Sequence, residues 1–223
     1  MRPEQRMLED IEREVDYTRS LLGKDALDAR VMAALKDVPR HAFVPEEQRD
    51  AAYDNGPLPI GHGQTISQPY IVALMTDLLA PEPDDVILEI GTGSGYQAAV
   101  LSRLVWQVYS LEIIESLATS ARERLARLGY ANVEVRAGDG YHGWPGHAPF
   151  DGIVVTAAAP AIPEPLIEQL KPGARLVIPI GRPDGDQKLM LVEKTIDGRV
   201  EKRSVLGVAF VPLTRPGVRP GES

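Results

Sequence analysis

Apolar residues return at helical intervals at the start of the chain: Met7, Leu8, Ile11 and Val15 within residues 5–22, then Leu27, Val31, Ala34 and Leu35 within residues 26–36. The spacing predicts two helices, parted around Gly23, Lys24 and Asp25. Pro39 and Pro45, on either side of RHAFV, then break helical continuation. From residue 86 onward the pattern alternates. VILEIG, QVYSLEI, VEVRAG, DGIVVTA and ARLVIPIG read as strands, while GYQAAVLSRLV, SLATSARERLARLG and a stretch near 163–170 read as helices. Gly129 is placed to end the second of these helices. Strands separated by helices predict a mainly parallel sheet covered on both faces. The closing KLMLVEKTIDGRVEKRSVLGVAFVPL reads differently, as a hairpin about Asp197-Gly198, and the tail RPGVRPGES is expected to fray.

One stretch fits neither period. Residues 54–69, DNGPLPIGHGQTISQP, are too rich in Gly, Pro and Asn for long regular structure, and a loop of that length is often functional. It ends where Ser67 or Gln68 can cap a helix whose first position is Pro69, followed by the apolar YIVALMTDLLA. The expected architecture is α/β: a doubly wound, mainly parallel, Rossmann-like sheet with an N-terminal helical extension and C-terminal antiparallel strands. We expect one domain over residues 1–223, with the helical extension and loop in 1–80, a ligand-binding core in 81–182, and the last strands and tail in 183–223.

Composition narrows the chemistry. With 223 residues, 43% hydrophobic and 25% charged, the chain can bury a core. A net charge of −8 disfavours nucleic acid as a partner, because phosphate binding rests on clustered Lys and Arg. No apolar run reaches the roughly 20 residues of a membrane span, and the charged opening is unlike a signal peptide, so a cytoplasmic location is expected. The absence of Cys excludes disulfides and thiolate chemistry. His41, His62, His142 and His147 lack metal-ligand spacing, so no metal is expected. Arg122, Arg124 and Arg127 are expected on a solvated helix face, and Trp106 and Trp144 in packing roles.

The segment LEIGTGSGYQAAV places Gly91, Gly93 and Gly95 between the first strand of the alternating region and its helix. Open parallel sheets bind ligands beyond the carboxyl ends of their strands, and glycine lets the backbone approach closely. Glu112 closes the next strand, where a carboxylate can accept from both ribose hydroxyls. A dinucleotide fingerprint would need glycine where Tyr96 stands. Glu89 would repel a pyrophosphate but suits the cationic sulfonium and ammonium of S-adenosylmethionine.

This loop resembles that of class I methyltransferases. The resemblance implies that Asp139 and Gly140, in GDGYHGW, receive the adenine. It becomes more specific over PRHAFVP, GQTISQPYIVALM, GDGYHGWP, LKPGARLVIPIG and FVPL, which together are similar to the protein-L-isoaspartate O-methyltransferases from about residue 5 to residue 215. That family methylates the α-carboxylate of isoaspartyl residues in damaged proteins and peptides. The product ester collapses to a succinimide, and the cofactor leaves as S-adenosyl-L-homocysteine. Ser67 matches the serine assigned as active in the family, and Gln64, Thr65 and Ile66 would border the cofactor. Tyr70 stands where some animal members carry His, so no role of that His transfers. Thr214 lines up with a threonine near the cofactor in some relatives, and equally reads as an ordinary end-of-strand residue. Isoaspartyl proteins are the implied partners. Neither nucleic acid nor membrane is expected, and a monomer is, although sequence leaves oligomeric state open. Three rivals stay open at this point: a methyltransferase for a small molecule or RNA, a nicotinamide dehydrogenase, and a non-catalytic cofactor-binding module.

Overall fold

The structure, a computed structural model, describes residues 2–182 and 185–215. Of the tail expected to fray, only Arg215 lies within the described residues. Helix α1 spans Pro3–Leu22 and stops at Gly23, whose φ of 70° turns the chain while its N–H donates to the Arg19 carbonyl. Helix α2 spans Ala29–Asp37, starting later than residue 26 because Asp28 takes the capping position and accepts from the Arg30 N–H.

The Gly- and Pro-rich stretch is more regular than expected. It folds into a small antiparallel hairpin, β1 (Leu58–Gly61) and β2 (Gln64–Ile66). Its turn needs three left-handed residues in a row: Gly61 at φ 93°, His62 at 55° and Gly63 at 69°. The glycines that argued against structure are what let the strands reverse.

Helix α3, Pro69–Leu79, follows with Pro at its first position as expected. Its cap differs from expectation. Gln68 occupies the N-cap position but neither it nor Ser67 closes the helix with a side-chain bond; instead Asn55 Oδ1, reaching across from the preceding loop, accepts the Tyr70 N–H at 3.2 Å. A side-chain cap of this kind contributes about 1 kcal/mol.

The main sheet has seven strands in the order β5-β4-β3-β6-β7-β8-β9. Strands β3 (Val86–Ile90), β4 (Gln107–Glu112), β5 (Val133–Ala137) and β6 (Phe150–Val155) alternate with α4 (Tyr96–Ser102) and α5 (Glu115–Arg127), and β7 is Leu170–Ile180. Neighbours from β5 to β7 are parallel. The helix expected near 163–170 is a single turn, α6 (Glu164–Glu168), because Leu170 already belongs to β7. The predicted C-terminal hairpin is β8 (Gln187–Lys194) with β9 (Val200–Val208), antiparallel to each other and joined to the sheet by antiparallel pairing of β8 with β7. Chain order is kept to the end, so β9 is the sheet's outer edge.

Side-chain alternation covers both faces. Ile87, Val108, Val154 and Val177 join the larger cluster with helices α1 to α5, while Leu88, Ile90, Ile153, Val155, Leu176 and Ile178 join a second cluster with Trp144 and Leu166. Trp106, expected to pack, is instead 70% exposed, since it lies in the turn entering β4 rather than on it.

One position breaks the apolar alternation. Glu89, two residues on from Ile87 in the interior strand β3, is wholly buried. It accepts from the Ser110 hydroxyl, which in turn pairs with the Thr92 hydroxyl at 2.5 Å, so a polar chain runs from the sheet to the underside of the glycine loop. Burial is the dominant influence on the carboxyl and pushes its pKa up to about 8, with the Ser110 hydrogen bond only partly opposing it. At neutral pH it therefore stands mostly protonated, and the charge-based role expected from sequence is corrected: Glu89 braces the loop from below as an acid rather than facing a ligand as an anion. The folded chain retains this proton between pH 4.5 and about 8 while the unfolded chain releases it, so stability falls as pH rises through that window. We predict that Glu89→Gln gains stability relative to the parent as pH rises from 5 to 8. Melting temperatures of both proteins at the two pH values measure this; an unchanging gap would refute it.

Candidate active site

Parallel register sets Ile90 level with Leu111 on one side and Val155 on the other. The residues that follow each strand therefore emerge together at the carboxyl edge, beside β3, where connections diverge to β4 and β6. Gly91 and Thr92 donate their N–H groups to the Leu111 carbonyl at 2.8 and 3.2 Å, and Gly95 donates to Thr92 at 2.8 Å. Gly91 sits at φ 94°, and a Cβ there would stand 2.4 Å from Thr156 Oγ1. The close approach is real, because the Thr156 hydroxyl donates to the Gly91 carbonyl at 2.6 Å. No side chain fits at Gly91.

The Glu112 carboxylate is tied to the same loop. One oxygen accepts the Gly93 N–H at 2.8 Å and the other the Ile114 N–H at 3.0 Å. Each oxygen retains acceptor capacity, so the group is held in one orientation while able to accept hydroxyl donors. Glu112 borders a crevice together with Gly91, Gly93, Gly140 and the hairpin residues Gln64 and Thr65. Ile66 joins Gly91 and Gly93 in an adjoining crevice.

Two predicted residues stand elsewhere. Gly95 is absent from both walls; it begins α4 at φ 87°, and a Cβ there would lie 3.1 Å from Leu125, so its role is to bring α4 against α5. Asp139 accepts the Tyr141 N–H at 2.9 Å and caps the short turn after β5, leaving Gly140 to form the crevice wall. A Cβ on Gly140 would sit 2.2 Å from Ile90 Cγ2. Like Glu89, both residues support the site from behind.

Two elements cover the crevice. Ile60 of the β1–β2 hairpin lies 3.4 Å from where a Gly93 Cβ would be. From the other side comes the segment after β9, clamped by the Ala158 N–H to Val211 and by the Leu213 N–H to Ala158, both at 2.8 Å. The Tyr141 hydroxyl donates to the Leu213 carbonyl at 3.2 Å, and the Arg215 guanidinium lies 3.9 Å over the Tyr141 ring. This clamp sets Thr214 on the wall with Glu112.

Beyond the hairpin opens a much larger cavity of about 1000 Å³, reaching from Ser67 and Tyr70 to Glu14 and Thr18 of α1 and to residues 204–208 of β9. Thr65, Ser67 and Thr156 border both this cavity and the adjoining crevice that Ile66 lines, and Thr65 and Thr156 also border the crevice of Glu112. The Ser67 hydroxyl has no hydrogen bond among the described residues, whereas its carbonyl accepts from Arg40 at 2.8 Å. The Tyr70 hydroxyl pairs with Thr18 at 2.6 Å, fixing α1 at the rim.

Sequence reasoning missed Thr156, Asn55 and Arg40. Thr156 was legible as the residue ending a strand beside the switch point; the other two carry only hydrogen bonds between distant segments, which leave no periodic signal. The basic face also needs correction. Arg122 and Arg127 are exposed as expected, Arg122 also donating to the Val135 carbonyl at 3.1 Å, but Arg124 is half-buried and donates to the Ser94 carbonyl at 2.8 Å, fastening α5 to the glycine loop. Among the described residues no cluster of His, Asp or Glu could hold a metal ion, and no helix is long and apolar enough to cross a membrane.

The protein-L-isoaspartate(D-aspartate) O-methyltransferase (PCMT) family model matches residues 19–217. A protein-L-isoaspartate O-methyltransferase 2 of Nitrosococcus oceani is 64% identical over 96% of this chain and 97% of its own length. Another of that name, from Polaromonas sp., is 63% identical over 93% of this chain and 99% of its own. Among solved structures, a protein-L-isoaspartate O-methyltransferase superimposes with a TM-score of 0.83 at 27% identity, covering 95% of this chain, which spans 66% of that protein's length. A Plasmodium falciparum protein assigned to the same activity, solved in complex with S-adenosyl-L-homocysteine, gives 0.77 at 25% identity, with 96% of this chain and 99% of that one covered. With a glycine loop at the switch point, a carboxylate fastened to it and an open cavity beyond Ser67, the chain belongs to the protein-L-isoaspartate(D-aspartate) O-methyltransferase family.

Proposed function

We propose that the chain repairs damaged proteins by methylating the α-carboxylate of L-isoaspartyl residues, with the cofactor at the glycine loop and the acceptor in the large cavity. The observation that carries this reading is the position of Thr65, Ser67 and Thr156 on the shared wall of the two spaces. When bound, S-adenosyl-L-methionine supplies a methyl group on a sulfonium centre and leaves as S-adenosyl-L-homocysteine. The residues present fit that group. Gly91 and Gly140 leave backbone where any Cβ would clash, and Glu112 holds a fixed carboxylate with lone pairs free for a ribose diol. Gln64, Thr65 and Ile66 close the crevice from above, and Thr214 borders it from the C-terminal segment.

The acceptor needs no general base. A carboxyl group with a pKa of about 4 is already an anion at pH 7. What the protein must supply is orientation and a dry approach. Ser67 serves the first: its hydroxyl, uncommitted among the described residues, is available to donate to the substrate carboxylate. The hairpin and residues 211–214 serve the second by covering the crevice. Asp139 and Glu89 act from behind, one shaping the turn at Gly140 and the other bracing the loop. The whole chain works as a single domain in this reading, the helical extension and last strands together forming the acceptor cavity. Isoaspartyl proteins and peptides are the partners, and nothing in the charge distribution favours nucleic acid.

Three outcomes are expected. The chain methylates an isoaspartyl peptide and leaves the matching aspartyl peptide unmodified; equal turnover of both, or none on the isoaspartyl form, would end the acceptor assignment. Ser67→Ala lowers kcat/KM for the isoaspartyl peptide by about tenfold or more, a loss expected of one charge-assisted hydrogen bond. Calorimetry on the same variant should find S-adenosyl-L-homocysteine affinity within about threefold, and undiminished turnover would remove Ser67 from the mechanism. Gly91→Ala weakens S-adenosyl-L-homocysteine binding at least tenfold, since the new methyl collides with Thr156 and strains a positive φ. Unaltered affinity there would argue against the loop as the cofactor site.

A further inference from the structure

Arg40 is the largest fully buried side chain among the described residues, at 0% exposure. It belongs to PRHAFVP, a segment that touches neither the crevices nor the large cavity. A buried guanidinium ordinarily pairs with a carboxylate, because an uncompensated charge away from water is costly. Among the described residues Arg40 makes no salt bridge. It donates to backbone carbonyls instead: Nε to Ala52 at 2.8 Å, Nη2 to Ser67 at 2.8 Å and, more loosely, Nη2 to Gly56 at 3.4 Å. Its guanidinium carbon also lies 4.8 Å from the centre of the Tyr96 ring. Tyr96 is the first residue of α4, directly after the glycine loop.

The three carbonyls bracket the β1–β2 hairpin. Ala52 and Gly56 precede it and Ser67 follows it, so one rigid fork closes the segment that carries the hairpin and ends on Ser67. We propose that Arg40 is a positioning residue for methyl transfer, fixing the acceptor segment 52–67 against the face of Tyr96 and so setting Ser67 at a constant distance from the cofactor loop. Arginine suits the task because its donors are planar and splayed, able to meet carbonyls from separate chain segments at once. Lysine offers a point charge on a flexible stem and cannot span them with the same geometry. Asn55 holds the same segment from its other side through Tyr70, so the loss of Arg40 loosens the segment rather than releasing it.

The inference rests on the acceptor role given to Ser67, and its test separates the two. Arg40→Lys and Arg40→Met are compared with the parent for amide hydrogen exchange over residues 52–68, for kcat and KM on an isoaspartyl peptide, and for S-adenosyl-L-homocysteine affinity. Expected for Arg40→Lys is faster exchange in 52–68 with that of β3 and β4 unchanged, kcat/KM lower by about thirtyfold, and S-adenosyl-L-homocysteine affinity within about fivefold. Arg40→Met, which keeps bulk but no donor, exceeds those losses if it folds. A folded Arg40→Lys with parental exchange in 52–68 and kcat/KM within twofold would overturn the proposal. So would its failure to fold, judged by circular dichroism, since Arg40 would then determine the fold as a whole. A parent enzyme inactive on isoaspartyl peptide would defeat the acceptor assignment alone, leaving the exchange result to judge whether Arg40 fixes the segment.

Discussion

Everything in this molecule hangs on the register of three parallel strands. Because β4, β3 and β6 end level, the carbonyl of Leu111 is in place to take two N–H groups from the glycine loop, and the carbonyl of Ile90 takes the Thr156 N–H. Those bonds satisfy backbone that a parallel sheet would otherwise leave open at its carboxyl edge. They also draw Gly91 so close to Thr156 that no other residue could stand there. The bonds that finish the sheet thus carve the crevice.

The enzyme must hold an anionic acceptor although its net charge is −8. Among the described residues Lys188 is a cation lining the large cavity, and the remaining charges near the site are internal. Glu89 is kept protonated beneath the loop by burial, and Glu112 is engaged by two backbone N–H groups. Arg40 remains as a buried charge whose partners among the described residues are carbonyl dipoles and an aromatic face. Electrostatics here work through fixed dipoles in a dry interior, where they act more strongly than in water.

Much of this was readable in advance. Helical and strand periods located α1 to α5, the parallel core and the last hairpin, because those elements bury a repeating face. Gly91, Gly93 and Glu112, which border the crevice, were legible because loop and carboxylate follow strands in a fixed order, whereas the stretch Gln64–Ser67 was marked out as a site only by the family resemblance. What failed did so for physical reasons. The β1–β2 hairpin was hidden because its turn uses the residues that usually signal irregular chain. Glu89 was read by charge, whereas burial holds its carboxyl beneath the loop, and Asp139, placed at the adenine only through the family resemblance, uses one carboxyl oxygen to cap the turn before Tyr141. Gly95 was counted with its neighbours in the loop, but its missing side chain serves helix packing. Arg40 and Asn55 act across 12 to 27 residues through hydrogen bonds to separate chain segments, and no local pattern encodes those.

Asn55 has a further significance once the reaction is known. It is followed by Gly56, and an asparagine before glycine is the dipeptide most open to the ring closure that creates isoaspartate: the next backbone nitrogen attacks the side-chain carbonyl. In this fold the Asn55 carbonyl oxygen is engaged by the Tyr70 N–H, and the Gly56 N–H donates to the Asp54 carbonyl at 2.8 Å. The bonds to Tyr70 and Glu14 hold the Asn55 amide in one orientation, and the Gly56 N–H must leave the Asp54 carbonyl before its nitrogen can turn toward it. The bonds that start α3 and shape the loop before it thereby restrain, in the enzyme's own chain, the rotation by which an asparagine ages into isoaspartate.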